Sequence, residues 1–186
     1  MKNTLKKTIL KSVKKLTTTQ KKDLETLHDL FLVQLKDLYD TEKQIKKALP
    51  KIIKTATHGN IKLSLTSHLK ETEGQIERLE HVYEYLDMRA QGKTSLGMKG
   101  LLDDGKEVMS MKAKPELIDA AIVANAQHVE HHEIAGYKAT IEWAKLLEMK
   151  EVVSLLEKNL KEEETMAHKL TTLATDKVNK KAAELQ

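Results

Sequence analysis

Apolar residues recur at intervals of three and four along most of this chain, which is the spacing that places side chains on one face of an α-helix. Four long segments follow this pattern, at about residues 23–57, 61–88, 115–147 and 151–177. A shorter apolar group predicts one more helix between the second and third segments. Its members are Leu101, Leu102, Val108 and Met109.

Proline and glycine residues mark the limits of these segments. Pro50 lies within the first helix and is expected to kink it, because the proline ring displaces the carbonyl four residues earlier. Gly59 is expected to end that helix as a left-handed cap. Pro115 suits the first turn of the third helix. The stretch RAQGKTSLGMKG, residues 89–100, is too rich in glycine for a long helix.

The order of the segments predicts an all-α fold. Tight turns join the first helix to the second and the third to the fourth, whereas a connection of about 25 residues joins the two pairs. Two helical hairpins linked by a long crossover with a short extra helix form a ferritin-like four-helix bundle. A symmetric bundle with a loose middle loop is the alternative. The bundle is assigned to residues 23–178, with a basic tail at 1–22 and a C-terminal tail at 179–186.

Composition supports this interpretation and limits the chemistry. The chain has 186 residues, 3% aromatic residues and a net charge of +4, and its abundant Ala, Leu, Lys and Glu favour helices. It has no cysteine, which excludes disulfides and thiolate metal sites. No apolar run approaches about 18 residues, and the N-terminus lacks the apolar core of a secretory signal. A cytoplasmic protein that does not cross a membrane is expected.

Helical wheels turn several titratable side chains towards the apolar stripes. Glu42 falls among leucines and isoleucine in the first helix, and Glu163 lies in the middle of the stripe of the fourth. The sequence EHHE in the third helix places Glu130 and Glu133 on the stripe. His68 lies on the apolar side of the second helix.

Other polar groups of these helices fall at an edge or face away. Glu71 and Gln75 lie at one edge of the second stripe. The histidines of the third helix are expected to face solvent; they are His128, His131 and His132.

Four inward carboxylates need an explanation, because an ionised carboxylate in an apolar core is costly unless it is paired or bound to a cation. No inward lysine or arginine on these faces can neutralise four of them. A dinuclear metal centre is the economical interpretation, and Glu and His ligands suit iron or manganese, with zinc as a further candidate. The alternative is a structural protein whose carboxyls are protonated or hydrogen-bonded. Tyr39, Tyr137 and Gln75 are expected to support the ligands by hydrogen bonds.

The ligand pattern departs from the usual di-iron bundle, which places Glu-x-x-His on two helices. Here the second helix has HLKE, residues 68–71, in the reverse order. The third helix has Glu-x-x-Glu, and Met166 stands three residues after Glu163.

Four segments of the sequence resemble segments of the YciE/YciF stress proteins, a ferritin-like family. They are LHDLFLVQLKDLYDTEKQIKKALPKI, HLKETEGQIERLE, VEHHEIAGY and LLEKNLKEEETMAHKL. The resemblance implies a fold similar to that of rubrerythrins and ferritins, a dinuclear iron centre and a homodimer. Its ligand positions fall on Glu42, His68, Glu71, Glu130, Glu133 and Glu163. Members of the family often carry an acid where this chain has Ala167.

The leading functional prediction is therefore a stress-response protein that holds two iron ions. Dioxygen or peroxide would be its small-molecule substrate, in ferroxidase or peroxide-consuming chemistry.

The N-terminal tail supports a further hypothesis. Residues 1–22 contain eight lysines and no acidic residue. Such a segment is either a solvating tail or a weak, sequence-independent arm for DNA or a membrane surface. The expected phosphate contacts on DNA are Lys6, Lys7, Lys11, Lys14 and Lys15.

Overall fold

A computed structural model describes residues 24–185 of the chain as helices joined by short turns and one long crossover. The predicted basic tail and its phosphate-binding lysines lie outside the described residues. The helices are α1 (Leu27–Thr55), α2 (Gly59–Tyr85), α3 (Leu96–Ser110), α4 (Pro115–Leu146) and α5 (Lys150–Leu173). A π-helical turn at Ala174–Val178 and the short helix α6 (Asn179–Ala183) follow.

The four long helices form a bundle of two hairpins. In the first hairpin α1 packs against α2, and in the second α4 packs against α5. The hairpins meet through two further contacts, α2 with α5 and α1 with α4. The short helix α3 lies in the crossover and packs on α4 and α1. This is the predicted ferritin-like arrangement, and the prediction of an all-α four-helix bundle is confirmed.

The turn between α1 and α2 differs from the prediction. α1 ends at Thr55, and Gly59 is the first residue of α2 rather than a left-handed cap, since no glycine among the described residues has a positive φ. Buried Asp119 of α4 holds this turn extended. Its carboxylate accepts hydrogen bonds from the backbone N–H groups of Thr57 (2.7 Å) and His58 (2.8 Å). The carboxylate thereby satisfies backbone donors at the start of α2.

Left-handed residues occur at two other helix ends, and neither is glycine. Asp87, with φ of 54°, follows α2, and Glu148, with φ of 57°, lies between α4 and α5. In each case the next backbone N–H reaches back to close the helix: Met88 donates to the Tyr83 carbonyl (2.9 Å) and Met149 to the Ala144 carbonyl (3.0 Å). These are Schellman-type ends, which favour glycine but do not require it.

The crossover is more helical than its glycines predict, because α3 begins at Leu96. Its N-cap residue Ser95 is tied to α1 by three hydrogen bonds, one of which runs from the Gln44 side-chain amide to the Ser95 carbonyl (3.1 Å). The Ser95 backbone N–H donates to Asp40 (2.8 Å), and its hydroxyl donates to Asp37 (3.1 Å). The start of α3 is therefore fixed against the first hairpin.

The core consists of two apolar clusters at opposite ends of the bundle. One contains Ile45, Leu65 and Val129, and the other contains Leu38, Leu79 and Tyr137, each with its neighbours. On α1 and α4 the sequence passes from one cluster to the other through buried glutamates. A polar layer therefore separates two hydrophobic halves. Among the described residues, no helix is both long and apolar enough to cross a bilayer.

Candidate metal centre

The polar layer brings together one histidine and three glutamates from three helices. His68 comes from α2, Glu130 and Glu133 from α4, and Glu163 from α5, and all four are buried. Each offers one ligand atom, and these atoms lie within 4.8 Å of one another. Such a spacing would let one ion contact all four, with Glu and His as its ligands.

Glu42 and Glu71, the two other predicted ligands, lie beside this group. Glu42 of α1 is fully buried; its charge raises the pKa of Glu133, and the charge of Glu163 raises the pKa of Glu42. Glu71 is half-buried, and one of its oxygens is 3.9 Å from Nδ1 of His68. All four long helices therefore contribute to the polar layer, as the wheels predict.

Many polar atoms in this layer have no hydrogen-bond partner. Buried atoms that lack one are normally rare, because each loses its hydration without replacement. Here they come from five of the six predicted ligands, and both carboxylate oxygens of one residue are included. They are Glu42 Oε2, His68 Nε2, Glu130 Oε2, Glu133 Oε1 and Oε2, and Glu163 Oε2.

Burial makes these carboxyls hard to ionise when no cation is present. Burial raises the pKa of Glu130 to about 8. It also raises the pKa of Glu163 well above its ordinary value, and the charge of Glu130 raises it further. Each of these two carboxyls therefore favours its protonated form when no cation is bound.

The other two carboxyls behave in the same way. Burial raises the pKa of Glu42 and of Glu133 well above 4.5, and the charge of Glu163 adds to both shifts. Like charges so close together cannot all ionise in a buried site. At neutral pH the metal-free site therefore holds protons that a bound cation would displace.

His68 is prepared to act as a neutral ligand. Burial lowers the pKa of its imidazole to about 4, so the ring is uncharged at neutral pH. Its Nε2 lies 3.4 Å from Oε1 of Glu130. A neutral ring nitrogen carries the lone pair that a metal ion needs.

Hydrogen bonds from neighbouring side chains position the glutamates. Gln75 donates from Nε2 to Glu163, and the Tyr137 hydroxyl donates to Glu42. Asn159 in turn donates to the Tyr137 hydroxyl (2.9 Å). The structure thus places Gln75 and Tyr137 beside the carboxyls, where the sequence analysis expected them. It does not do so for the third expected residue, Tyr39.

The hydroxyl of Tyr39 points to a different partner. It donates to Glu80 at 2.7 Å, and its ring meets the ring of Tyr83 edge to face. Tyr39 therefore belongs to the hydrophobic half of the bundle. Tyr39 was expected at the site because it is close to Glu42 in sequence, but residues three positions apart on a helix need not share a hydrogen-bond partner.

Two residues near the site were missed by the sequence analysis. Asn159 lies four residues before Glu163, on the same face of α5, and this spacing could have identified it. Arg78 is half-buried and donates to both Asn159 and Glu162. Arg78 therefore brings one cation to the edge of the carboxyl layer. A long side chain at the edge of α2 can reach inward in a way that a wheel does not show. Its charge lowers the pKa of Glu42, but less than burial raises it.

The three histidines in and just before the EHHE segment do not join the layer. His128 and His131 are exposed, as expected. His132 is half-buried, and its ring packs so closely on the crossover that a β-carbon at Gly97 would be 2.8 Å from its Cε1. The expectation that His132 faces water is therefore only partly met. Ala167, where related proteins were expected to carry an acid, is buried and adds no ligand.

The chemistry of the buried side chains fits a metal ion. It combines carboxylate oxygens with a neutral imidazole, it is enclosed, and it leaves six atoms without a partner. Arg78 is one cation at the edge and cannot balance four buried carboxylates. A pair of divalent ions would balance their four charges.

Comparison with known proteins agrees with the fold and the sequence pattern. A family model described as "Domain of unknown function (DUF892)" matches residues 26–183. Protein YciF of Escherichia coli (strain K12) is 37% identical over 161 residues, which cover 86% of this chain and 97% of YciF.

Solved structures give the same relationship. YcfI from Rhodopseudomonas palustris is 44% identical with a TM-score of 0.80, covering 82% of this chain and 98% of its own. The E. coli stress protein YciF has a TM-score of 0.80 over 84% of this chain and 99% of its own. A Xanthomonas campestris protein, 21% identical with a TM-score of 0.64, covers 81% of this chain and 92% of its own and shares the fold. Because the family model spans nearly all of the bundle, this chain belongs to the DUF892 family and is a relative of the stress protein YciF.

Proposed function

We propose that this protein is a YciF-type stress protein that holds a pair of metal ions, iron in the first place, in the polar layer of its bundle. The observation that carries the proposal is the convergence of His68, Glu130, Glu133 and Glu163 within 4.8 Å, buried and with unpartnered ligand atoms. Glu42 and Glu71 complete the set on either side.

The residues of the layer have distinct roles in this proposal. Glu133 has no hydrogen-bond partner on either oxygen, so both oxygens would be available to hold a bound cation. Tyr137 and Gln75 each occupy one oxygen of a neighbouring glutamate and leave the other for a ligand bond. His68 supplies the nitrogen ligand without a change of protonation near pH 7.

The chemistry follows from what carboxylate-held iron can do. Once bound, two iron(II) ions would supply the two electrons that reduce dioxygen to hydrogen peroxide, or hydrogen peroxide to water, with uptake of two protons in either case. Because a bound cation would displace the protons of the ligand carboxyls, these two protons must reach the layer from outside the ligand set. The two hydrophobic core clusters exclude bulk water from the layer.

Metal analysis of the purified protein tests the proposal. Protein grown with iron is expected to carry about two metal ions per chain, as a carboxylate-bridged pair requires. Glu130→Ala is expected to lose most of this metal, because it removes a ligand from the centre of the set. The matched control is His131→Ala, one residue further along α4 and exposed, which should keep the full complement.

Two results would contradict the proposal. Wild-type protein that takes up no iron, manganese or zinc would favour a structural protein with protonated carboxyls. Equal metal content in Glu130→Ala and wild type would place any bound metal elsewhere.

A further inference from the structure

A groove in the surface runs between α1 and α3 and has a volume of about 480 Å³. Its rim is polar, and a smaller cavity of about 30 Å³ lies deeper, among α1, α2, α3 and α4. The two spaces are neighbours, since six residues line both of them: Ala48, Ile52, Leu102, Gly105, Met109 and Asn125.

The inner cavity ends at the candidate metal centre. His68 and Glu130, two of the proposed ligands, form part of its wall. The shared residues therefore stand between the groove on the solvent side of the crossover helix and the His68 side of the polar layer. These shared residues pack closely at Gly105, where an added β-carbon would come within 3.0 Å of the Asn125 side chain.

Size and polarity restrict what the inner cavity can hold. A site needs roughly 10–15 Å³ of such space for one water molecule, so about 30 Å³ suits one or two very small molecules. Apart from His68, Glu130 and Asn125, its wall is apolar or glycine, and the Asn125 amide N–H already donates to the Leu101 carbonyl (2.9 Å).

Such a wall favours dioxygen over peroxide or water. Hydrogen peroxide and water must keep hydrogen bonds when they leave solvent, whereas an apolar gas loses nothing on entering a dry cavity. We propose that the groove and the apolar cavity beneath α3 form the entry route and waiting site for dioxygen. This inference rests on the proposed function and narrows it, because it makes dioxygen rather than peroxide the oxidant that the fold admits by this path.

Xenon tests the cavity without any metal or activity. Crystals of the full-length, metal-free protein under xenon pressure are expected to show xenon between α1 and α3, against Leu65 and Val108. Xenon and dioxygen share the preference for dry apolar cavities of this kind. Ordered water in the same space, with no xenon, would overturn the inference.

A blocked variant tests the route in the metal-loaded protein. Ala126→Leu adds a branched side chain to the cavity wall, one turn before Glu130. Ala135→Leu is the matched control on the exposed side of α4. We expect kcat/KM for dioxygen in iron(II) oxidation to fall about tenfold in the first variant and to be unchanged in the second. With saturating peroxide as the oxidant, the two variants should react alike.

The possible failures are distinguishable. Full metal content with the same kcat/KM for dioxygen in both variants would overturn the route and leave the proposed metal centre intact. Absence of metal from the wild type would overturn the proposed function itself, and the inference with it. If Ala126→Leu does not fold, Ala121→Val places a smaller branched side chain in the same wall and carries the same expectations.

Discussion

Replacing Glu130 with glutamine should stabilise the metal-free protein, although the substitution removes a proposed ligand. Burial raises the pKa of Glu130 from an ordinary value of 4.5 to about 8. Between about pH 4.5 and pH 8, the native state therefore holds a proton on Glu130 that the unfolded state has released. Glutamine is an uncharged side chain of the same shape and does not carry this cost. It can also still meet the His68 ring, 3.4 Å away.

The sign of the pH effect follows from the direction of the shift. A carboxyl whose pKa is higher in the folded state contributes stability that is fully present below 4.5 and is lost as the pH rises to about 8. The loss is about 1.4 kcal/mol per pH unit for each extra proton bound by the native state. Glutamine should therefore stabilise the metal-free protein by about 1 kcal/mol at pH 5 and about 3 kcal/mol at pH 7.

The titration of His68 does not affect the difference in stability between wild type and Glu130→Gln. Its lowered pKa acts with the opposite sign, since it contributes stability above pH 6.5 that is lost as the pH falls to about 4. The same contribution is present in wild type and in Glu130→Gln, so it cancels in their difference.

Thermal and urea unfolding after chelation measure the effect at several pH values. For a chain of this size, about 3 kcal/mol corresponds to a rise in Tm of roughly 6 to 12 °C. With excess iron the order should reverse, because wild type gains binding free energy that the variant cannot match. The control is Glu164→Gln on the solvent side of α5, where the carboxylate pairs with Lys138 at 2.9 Å. It should change stability by less than about 1 kcal/mol.

Two results would refute the reasoning. A stabilisation of the same size at pH 5 and pH 7 would show that the carboxyl does not hold a proton in the folded state. A destabilised Glu130→Gln in the metal-free form would show that its charged form is already satisfied.

Three further predictions concern other parts of the chain. Tyr137→Phe should lower the stability of the metal-free protein by about 1–3 kcal/mol, because it leaves a buried carboxyl without its donor, while metal content by elemental analysis stays near wild type. Asp119→Ala should lower the free energy of unfolding, measured in urea, by about 2–4 kcal/mol, because the backbone N–H groups of Thr57 and His58 lose their acceptor. The control is Asp104→Ala, at an exposed position of α3. Any binding of DNA by the full chain in a gel shift should fall steeply with salt, and deletion of residues 1–22 should abolish it. Equal DNA binding by both forms would assign the DNA contact to the bundle.

The helices and their order could be predicted because apolar spacing is a local property of the sequence. Four stripes, two tight turns and one long connection are enough to identify two hairpins and a crossover. The errors occurred where a distant side chain decides the local backbone. Glycine is common at helix ends, so Gly59 was expected to end α1. Asp119, about sixty positions away in sequence, instead holds the turn, and Gly59 begins α2.

The inward glutamates could also be predicted, because a wheel reports which face of one helix a residue occupies. It does not report which partner that residue meets on another helix. Gln75 and Tyr137 were placed correctly, whereas Tyr39 turned to Glu80 and Arg78 was overlooked. Both failures concern long side chains, whose polar ends can lie well away from their own Cα positions.

The arrangement of partners around the carboxyls has a consequence for the metal centre. Arg78 bonds to Asn159 and Glu162, which places its charge at the α2 and α5 edge of the layer. The opposite edge, where His68 and Glu130 meet the apolar cavity, has no such cation among the residues that line it. A bound ion would therefore be most exposed to an incoming molecule on the cavity side. The asymmetry of the site thus favours reaction at the His68 side and structural support at the Arg78 side. The proposed entry route for dioxygen reaches the site at the His68 side.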